Sequence, residues 1–148
     1  MKTLFLTAIF LLLLSCNQGI TSNNKLALDS DIEKLRPLSE DIVQEWDAYQ
    51  NLEGNLKLIC STNSLNATSF REVLLNNIKA MELHIPQPFN TQDVKNSLES
   101  VDRQISSFYY EVHEDELNKR VVQRHVNDIM SAFGKLNKTL NRTLAYSD

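Results

Sequence analysis

From Val94 onward the apolar residues fall into two long, regular files. Val94, Leu98, Val101, Ile105, Phe108 and Val112 alternate steps of four and three, the heptad spacing that places all of them on one stripe of an α-helix. Val122, Val126, Ile129, Phe133, Leu136 and Leu140 repeat the stepping. Two long helices are predicted, the first starting at Asn90 or Thr91 and the second running toward the C-terminus. Between them the polar run "HEDE" (His113, Glu114, Asp115, Glu116) marks a turn or helix junction. Upstream, Phe70, Leu74, Ile78 and Met81 share one helical face, and Ser69 with Glu72 three residues on has the form of a capping box at its start. That helix must end before "HIPQPFN", because Pro86 and Pro88 forbid continuation.

The first helix is predicted to begin within residues 29–31 and to run to about Cys60, with a kink or restart at Pro37. Ser39, Glu40 and Asp41 supply a second start, with acidic groups in a first turn. Leu38, Ile42, Trp46 or Tyr49, Leu52, Leu56 and Ile59 form its apolar face. Gly54 interrupts it at about 1 kcal/mol relative to alanine, which a close helix contact would offset. Joined antiparallel, such helices give an all-α, up-down bundle of three to four members over residues 29–148. Only three glycines and three prolines in the chain argue against a turn-rich all-β fold.

The N-terminus follows another pattern. Lys2 precedes an unbroken apolar run over residues 4–14. As a helix this run rises about 16 Å, roughly half of a hydrocarbon core. It therefore reads as a cleaved export signal over residues 1–15, not a permanent span. Ordinary signal-peptidase sites fit poorly, since leucine or asparagine stands where a small residue is needed. Leu13, Leu14, Ser15 and Cys16 instead resemble the lipobox of bacterial lipoproteins. The resemblance implies that the Cys16 thiol takes a diacylglycerol and becomes the mature N-terminus. Two or more acyl chains make membrane anchoring stable without spanning. Residues 16–28 follow as the lipidated cysteine and a polar, Asn-rich tether.

Net charge is −4, with acids and bases interspersed, so no footprint for nucleic acid is present. With Cys16 lipidated, Cys60 has no intrachain partner; flanked by Ile59 and Leu58, it reads as a small buried apolar residue. The "HEDE" run is not HExxH, because Leu117 stands in the place of the second histidine. His125 and Asp128 read as ordinary exposed polar positions, and no nucleotide, phosphate or nucleophile motif occurs. No catalytic residue, metal site or cofactor is expected. Trp46, the only tryptophan, and nearby Tyr49 are the candidate partner-binding aromatics, weighed against simple burial in the bundle with the indole N–H finding a polar partner. Sequons at Asn66, Asn137 and Asn141 are close to the number chance supplies in an Asn-rich chain.

Together with the lipobox, the segments "EWDAYQNLEGNLKLI", "HIPQPFNTQDVKNSLESVDRQI" and "DIMSAFGKLNKTLNRTL" make the chain similar to the short uncharacterised helical lipoproteins of the Bacteroidetes. The resemblance covers most of the mature domain and carries over one functional residue, Cys16. It implies an outer-membrane lipoprotein with a binding or accessory role, whose partners are membrane lipid and an envelope protein. The tether lacks the acidic residues that accompany surface export in that group, which points to a periplasm-facing position. The alternative is a secreted helical cytokine-like signalling protein. Over its ten residues "RQISSFYYEV" is similar to a helix of the interferon-γ and interleukin-10 cytokines, and glycans on the sequons would favour that reading.

Overall fold

The computed structural model describes residue 26 and residues 32–112 and 118–145. Cys16, most of the tether, residues 29–31 and the "HEDE" run lie outside them. Among the described residues the fold is all-α: six α-helices and one 3-10 turn.

Residues 32–36 are not helical. They form an extended strap, and α1 (Pro37–Gln44) begins only at the proline. Arg36 has φ −81° and ψ 156°, the extended backbone that a following proline imposes, and Pro37 at the first helical position loses no hydrogen bond. The restart expected at Pro37 is present, but residues 32–36 form a strap and the single helix expected from there to Cys60 is corrected to two helices. The second of these, α2 (Asp47–Cys60), is separated from α1 by a bend at Glu45 and Trp46. Trp46 leaves helical geometry, with φ −103° and ψ 79°, and only 2% of it is exposed. The bend coincides with burial of the indole, whose ring lies 5.9 Å from Tyr49 and 6.3 Å from Phe89. Leu38, placed on the apolar face by its spacing, is 55% exposed, because the break removes it from the face that Leu52 and Leu56 bury.

Gly54 has nothing within 4 Å of where a Cβ would stand, so the expected close helix contact is absent. After α2 the short α3 (Ser64–Thr68) is capped by Asn63, whose Oδ1 accepts from Asn66 N at 2.9 Å. The next helix, α4 (Arg71–Leu83), starts after Phe70 with no side-chain cap. The predicted Ser69 capping box does not form, because Ser69 Oγ donates backward to Asn66 O at 2.7 Å, closing the turn after α3. The 3-10 turn (Gln87–Phe89) drives Phe89 into the core. Thr91 then caps α5 (Gln92–Glu111), as expected, with Oγ1 accepting from Val94 N. The last helix is α6 (Lys119–Ala145).

Both predicted files are buried. From Val94 through Phe108, and again from Val122 through Leu140, every named position lies in the core, with Val112 closing the first file. The side-chain pairs fix the directions of the helices. Arg142 meets Asp93 at 3.0 Å and Ser97 meets Thr139 at 3.0 Å, while His125 faces Glu111 across the other end; α5 and α6 are antiparallel. Lys79 meets Asp102 at 2.9 Å, and Arg71 donates to the Val112 carbonyl, so α4 and α5 are antiparallel too. Tyr49 meets Asn137 and Cys60 meets Met130, which sets α2 against α6 in the same sense. The four longer helices thus alternate in direction around one core, with α1 and the strap laid against α6.

Leu26 falls within the stretch expected to be a free tether, yet it is buried and donates its N–H to Thr62 O at 3.1 Å. The folded body therefore captures the chain at the corner between α2 and α3. Among the described residues, no helix is long and apolar enough to cross a membrane.

Candidate functional site: an acidic groove beside Trp46

The α1–α2 bend leaves a groove of about 860 Å³, bounded by α1, the first turns of α2, the last turns of α4 and the Pro86–Pro88 segment. This lies within the usual range for ligand clefts. Its wall includes Trp46, Ile42 and Ala80, with Asn51, Asn77 and His84 as polar members. Asp41, Glu45 and Asp47 stand along it, all three exposed. Asp41 and Glu45 are four residues apart and so share a side of α1 and its last turn. None of the three carboxylates has a cationic partner among the described residues. Glu53, Glu82, Glu99, Asp93 and Asp102 do have one, whereas Glu33, Glu40, Glu72 and Asp128 also have none.

Among the described residues, three buried side-chain atoms lack a hydrogen-bond partner, and two of them, Trp46 Nε1 and Asn77 Nδ2, belong to residues of this groove. A buried donor left unpaired costs about 1–3 kcal/mol. Trp46 thus packs in the bundle as its spacing suggested, but its indole N–H does not find the polar partner expected of it. Neither Trp46 nor Tyr49 is an exposed aromatic platform: Tyr49 is 1% exposed, and its hydroxyl donates to Asn137 Oδ1 at 2.9 Å. The two rings stack on each other yet face different cavities.

The second cavity, about 580 Å³, lies between the strap, α2 and α6. Its buried polar side chains are paired within the fold. Asn137 accepts from Tyr49 and donates Nδ2 to Glu33 O at 2.8 Å. Asn141 donates Nδ2 to Lys34 O at 2.9 Å and accepts from Arg36 N at 2.8 Å. Two asparagines one turn apart on α6 thereby clamp the strap. Burial pushes the Tyr49 hydroxyl well above its ordinary value, the Glu53 carboxylate adding to this, so it remains a neutral donor. Satisfied in this way, the second cavity is a structural seam, and the groove beside Trp46 is the better candidate site. The clamp was invisible as such in the sequence, where Asn137 and Asn141 register only as sequons. Both are buried and engaged at both ends of the amide, so neither can carry a glycan in this fold; Asn66 is exposed.

His125 corrects another expectation. It is 3% exposed, wedged against Phe108 at a ring separation of 6.0 Å, with Nε2 3.6 Å from Glu111 Oε2. Burial lowers its proton affinity below the ordinary histidine value, against an opposing pull from Glu111. Asp128 is exposed, as anticipated. Cys60 is half-buried with Sγ 3.9 Å from Met130 Sδ, and burial raises its thiol pKa, which suits a packing role. Among the described residues no group of three or more histidine, cysteine or acidic side chains converges as a metal site.

Compared with protein-family models, curated proteins and solved structures, the chain matches none.

Proposed function

We propose that this protein is a bacterial lipoprotein, held at the outer membrane through Cys16, that acts by binding a partner in the groove beside Trp46. The observation that carries the binding role is a groove of ligand-cleft size beside Trp46 with three exposed carboxylates along it. The membrane anchor rests on "LLSC" and the short apolar run before it.

Geometry supports the combination. Leu26 lies ten positions after Cys16 and is fastened to Thr62. The lipid would therefore hold the α2–α3 corner within about 35 Å of the bilayer. The groove opens at the opposite end of α2, about 20 Å further along the helix. In an anchored molecule the groove would lie at the end of α2 remote from the point where the chain is captured.

The test is intact mass and membrane partition of the expressed protein, wild type against Cys16→Ser. Wild type is expected to gain the mass of a diacylglycerol anchor and to sediment with membranes, and the variant to do neither. A soluble, unlipidated mature chain cut at another position would remove the lipoprotein reading.

A further inference from the structure

We infer that the corner where α2 passes into α3 is a membrane-contact surface, which seats Leu58 and Leu65 in the headgroup region of the bilayer that holds the N-terminal segment. This deepens the anchored reading proposed above and rests on it for the source of the lipid. Two observations meet at the corner, one on its surface and one on the chain that leads to it.

Leu58, in the last turn of α2, is 56% exposed, and Leu65, in α3, is 60% exposed. One exposed leucine is ordinary. These two flank Thr62, four residues before it and three after, so chain length alone keeps both within about 14 Å of it. Around them the surface is neutral. No acidic residue occurs from Gly54 through Arg71, in a chain that carries 19. Lys57 is paired with Glu53 at 2.8 Å, and Arg71 donates to the carbonyls of Thr68 and Val112. Ser61, Asn66 and Ser69 are exposed between and beside the leucines, and their hydroxyl and amide groups suit the polar level of a bilayer. A molecule of net charge −4 meets zwitterionic headgroups at least cost through such a stretch. The connection from α5 to α6 brings Glu114, Asp115 and Glu116, so the contact rests on the leucines and not on attraction between charges.

Thr62 is also where the chain arrives. Its carbonyl accepts the N–H of buried Leu26 at 3.1 Å. Everything before Leu26, the apolar run of residues 4–14 and Cys16 included, leads to that point. A flexible stretch of ten residues spans about 17 Å on average, so a lipid on Cys16 is delivered beside Leu58 and Leu65. Leu83, the most exposed of the large apolar residues, ends α4 about 18 Å along that helix from its start after the corner.

The experiment places the full chain, as recovered from membranes, in phosphatidylcholine bicelles doped with a gadolinium-chelating lipid. It follows the backbone amides of residues 61–66 and the indole N–H of Trp46, about 20 Å away along α2. Intact mass of the same sample records the state of Cys16. The corner amides are expected to lose their signals while the Trp46 indole keeps its own. Combining Leu58→Ser with Leu65→Ser should abolish that selectivity with the anchor intact. Both changes are on the surface, and unchanged helical circular dichroism would show that the variant folds.

Equal loss at the corner and at Trp46, or none at either, would overturn the contact surface while leaving in place any lipid found on Cys16. So would a selective loss that survives in the double variant. Selective loss from a chain whose mass shows no lipid would keep the surface and overturn the anchor. Corner amides shielded from the probe in a chain that retains residues 1–15 would mean that the apolar run covers the leucines in place of the bilayer, which also overturns the proposal.

Discussion

At the scale of single residues, the fold depends on a few polar side chains whose environment is decided by neighbours far along the chain. Asn137 is the sharpest case. Removing its amide leaves the buried Tyr49 hydroxyl without an acceptor, whereas removing Asn141 frees strap groups that water can reach. Asn137→Ala is therefore expected to cost about 1–3 kcal/mol and Asn141→Ala about 0.5–1.5 kcal/mol. Urea unfolding monitored by circular dichroism checks both the values and the order.

His125 makes the molecule sensitive to pH. The groups facing it are Glu111 from α5, with Arg124 and Asp128 on its own helix, and burial outweighs their net effect to depress its affinity for a proton. The unfolded chain takes up a proton near pH 6.5, whereas the folded protein resists it to lower pH. The stability from keeping this residue neutral is thus complete above about pH 6.5 and declines as pH falls through the window below it. The urea midpoint of wild type should drop between about pH 7.5 and about pH 5, and His125→Leu should show a smaller drop over the same interval.

At the scale of elements, α5 and α6 follow from local rules. Their heptad files need only one long partner surface each, and each helix supplies the other's. The first half of the chain obeys a different balance. Burial of Trp46 goes with a break in what periodicity alone renders as one helix. The stretch just before Pro37 is pinned by side chains of α6 instead of continuing upstream as helix. Within α2, Gly54 has helical backbone and open space around it. Gly54→Ala is therefore expected to stabilise the protein by about 0.5–1 kcal/mol, through both the lower entropy of the unfolded chain and better helix propensity. The same urea titration measures it, and a loss of stability would mean that a neighbour packs where the structure leaves room.

At the scale of the whole molecule, the strap, the Leu26 contact and the groove lie along one path. The chain enters at the α2–α3 corner, runs along α6 under the two asparagines, and turns through α1 into the groove. Pulling on an N-terminal anchor would therefore load the Leu26–Thr62 bond and the asparagine clamp before it reached α1. In the anchored arrangement proposed here, this isolates the groove from tension at the membrane. The Cys16→Ser comparison tests the premise of that arrangement, since it depends on which end of the molecule the lipid holds.

By itself the sequence determined the helical class, the two long seams, the Thr91 cap and the stop before Pro86, because each depends on residues within a few turns of one another. Tertiary structure decided the rest. The clamp joins Arg36 to Asn141, 105 residues apart, and Asn137 to Tyr49, 88 apart; no local pattern distinguishes such asparagines from sequons on a surface. His125 occupies a position with no polar signature to announce burial, and only the packing of α5 against α6 encloses it. The groove exists because a bend in one segment meets the end of another. The donors it leaves unsatisfied are a property of that meeting, since any of them on an isolated helix would be bonded to water.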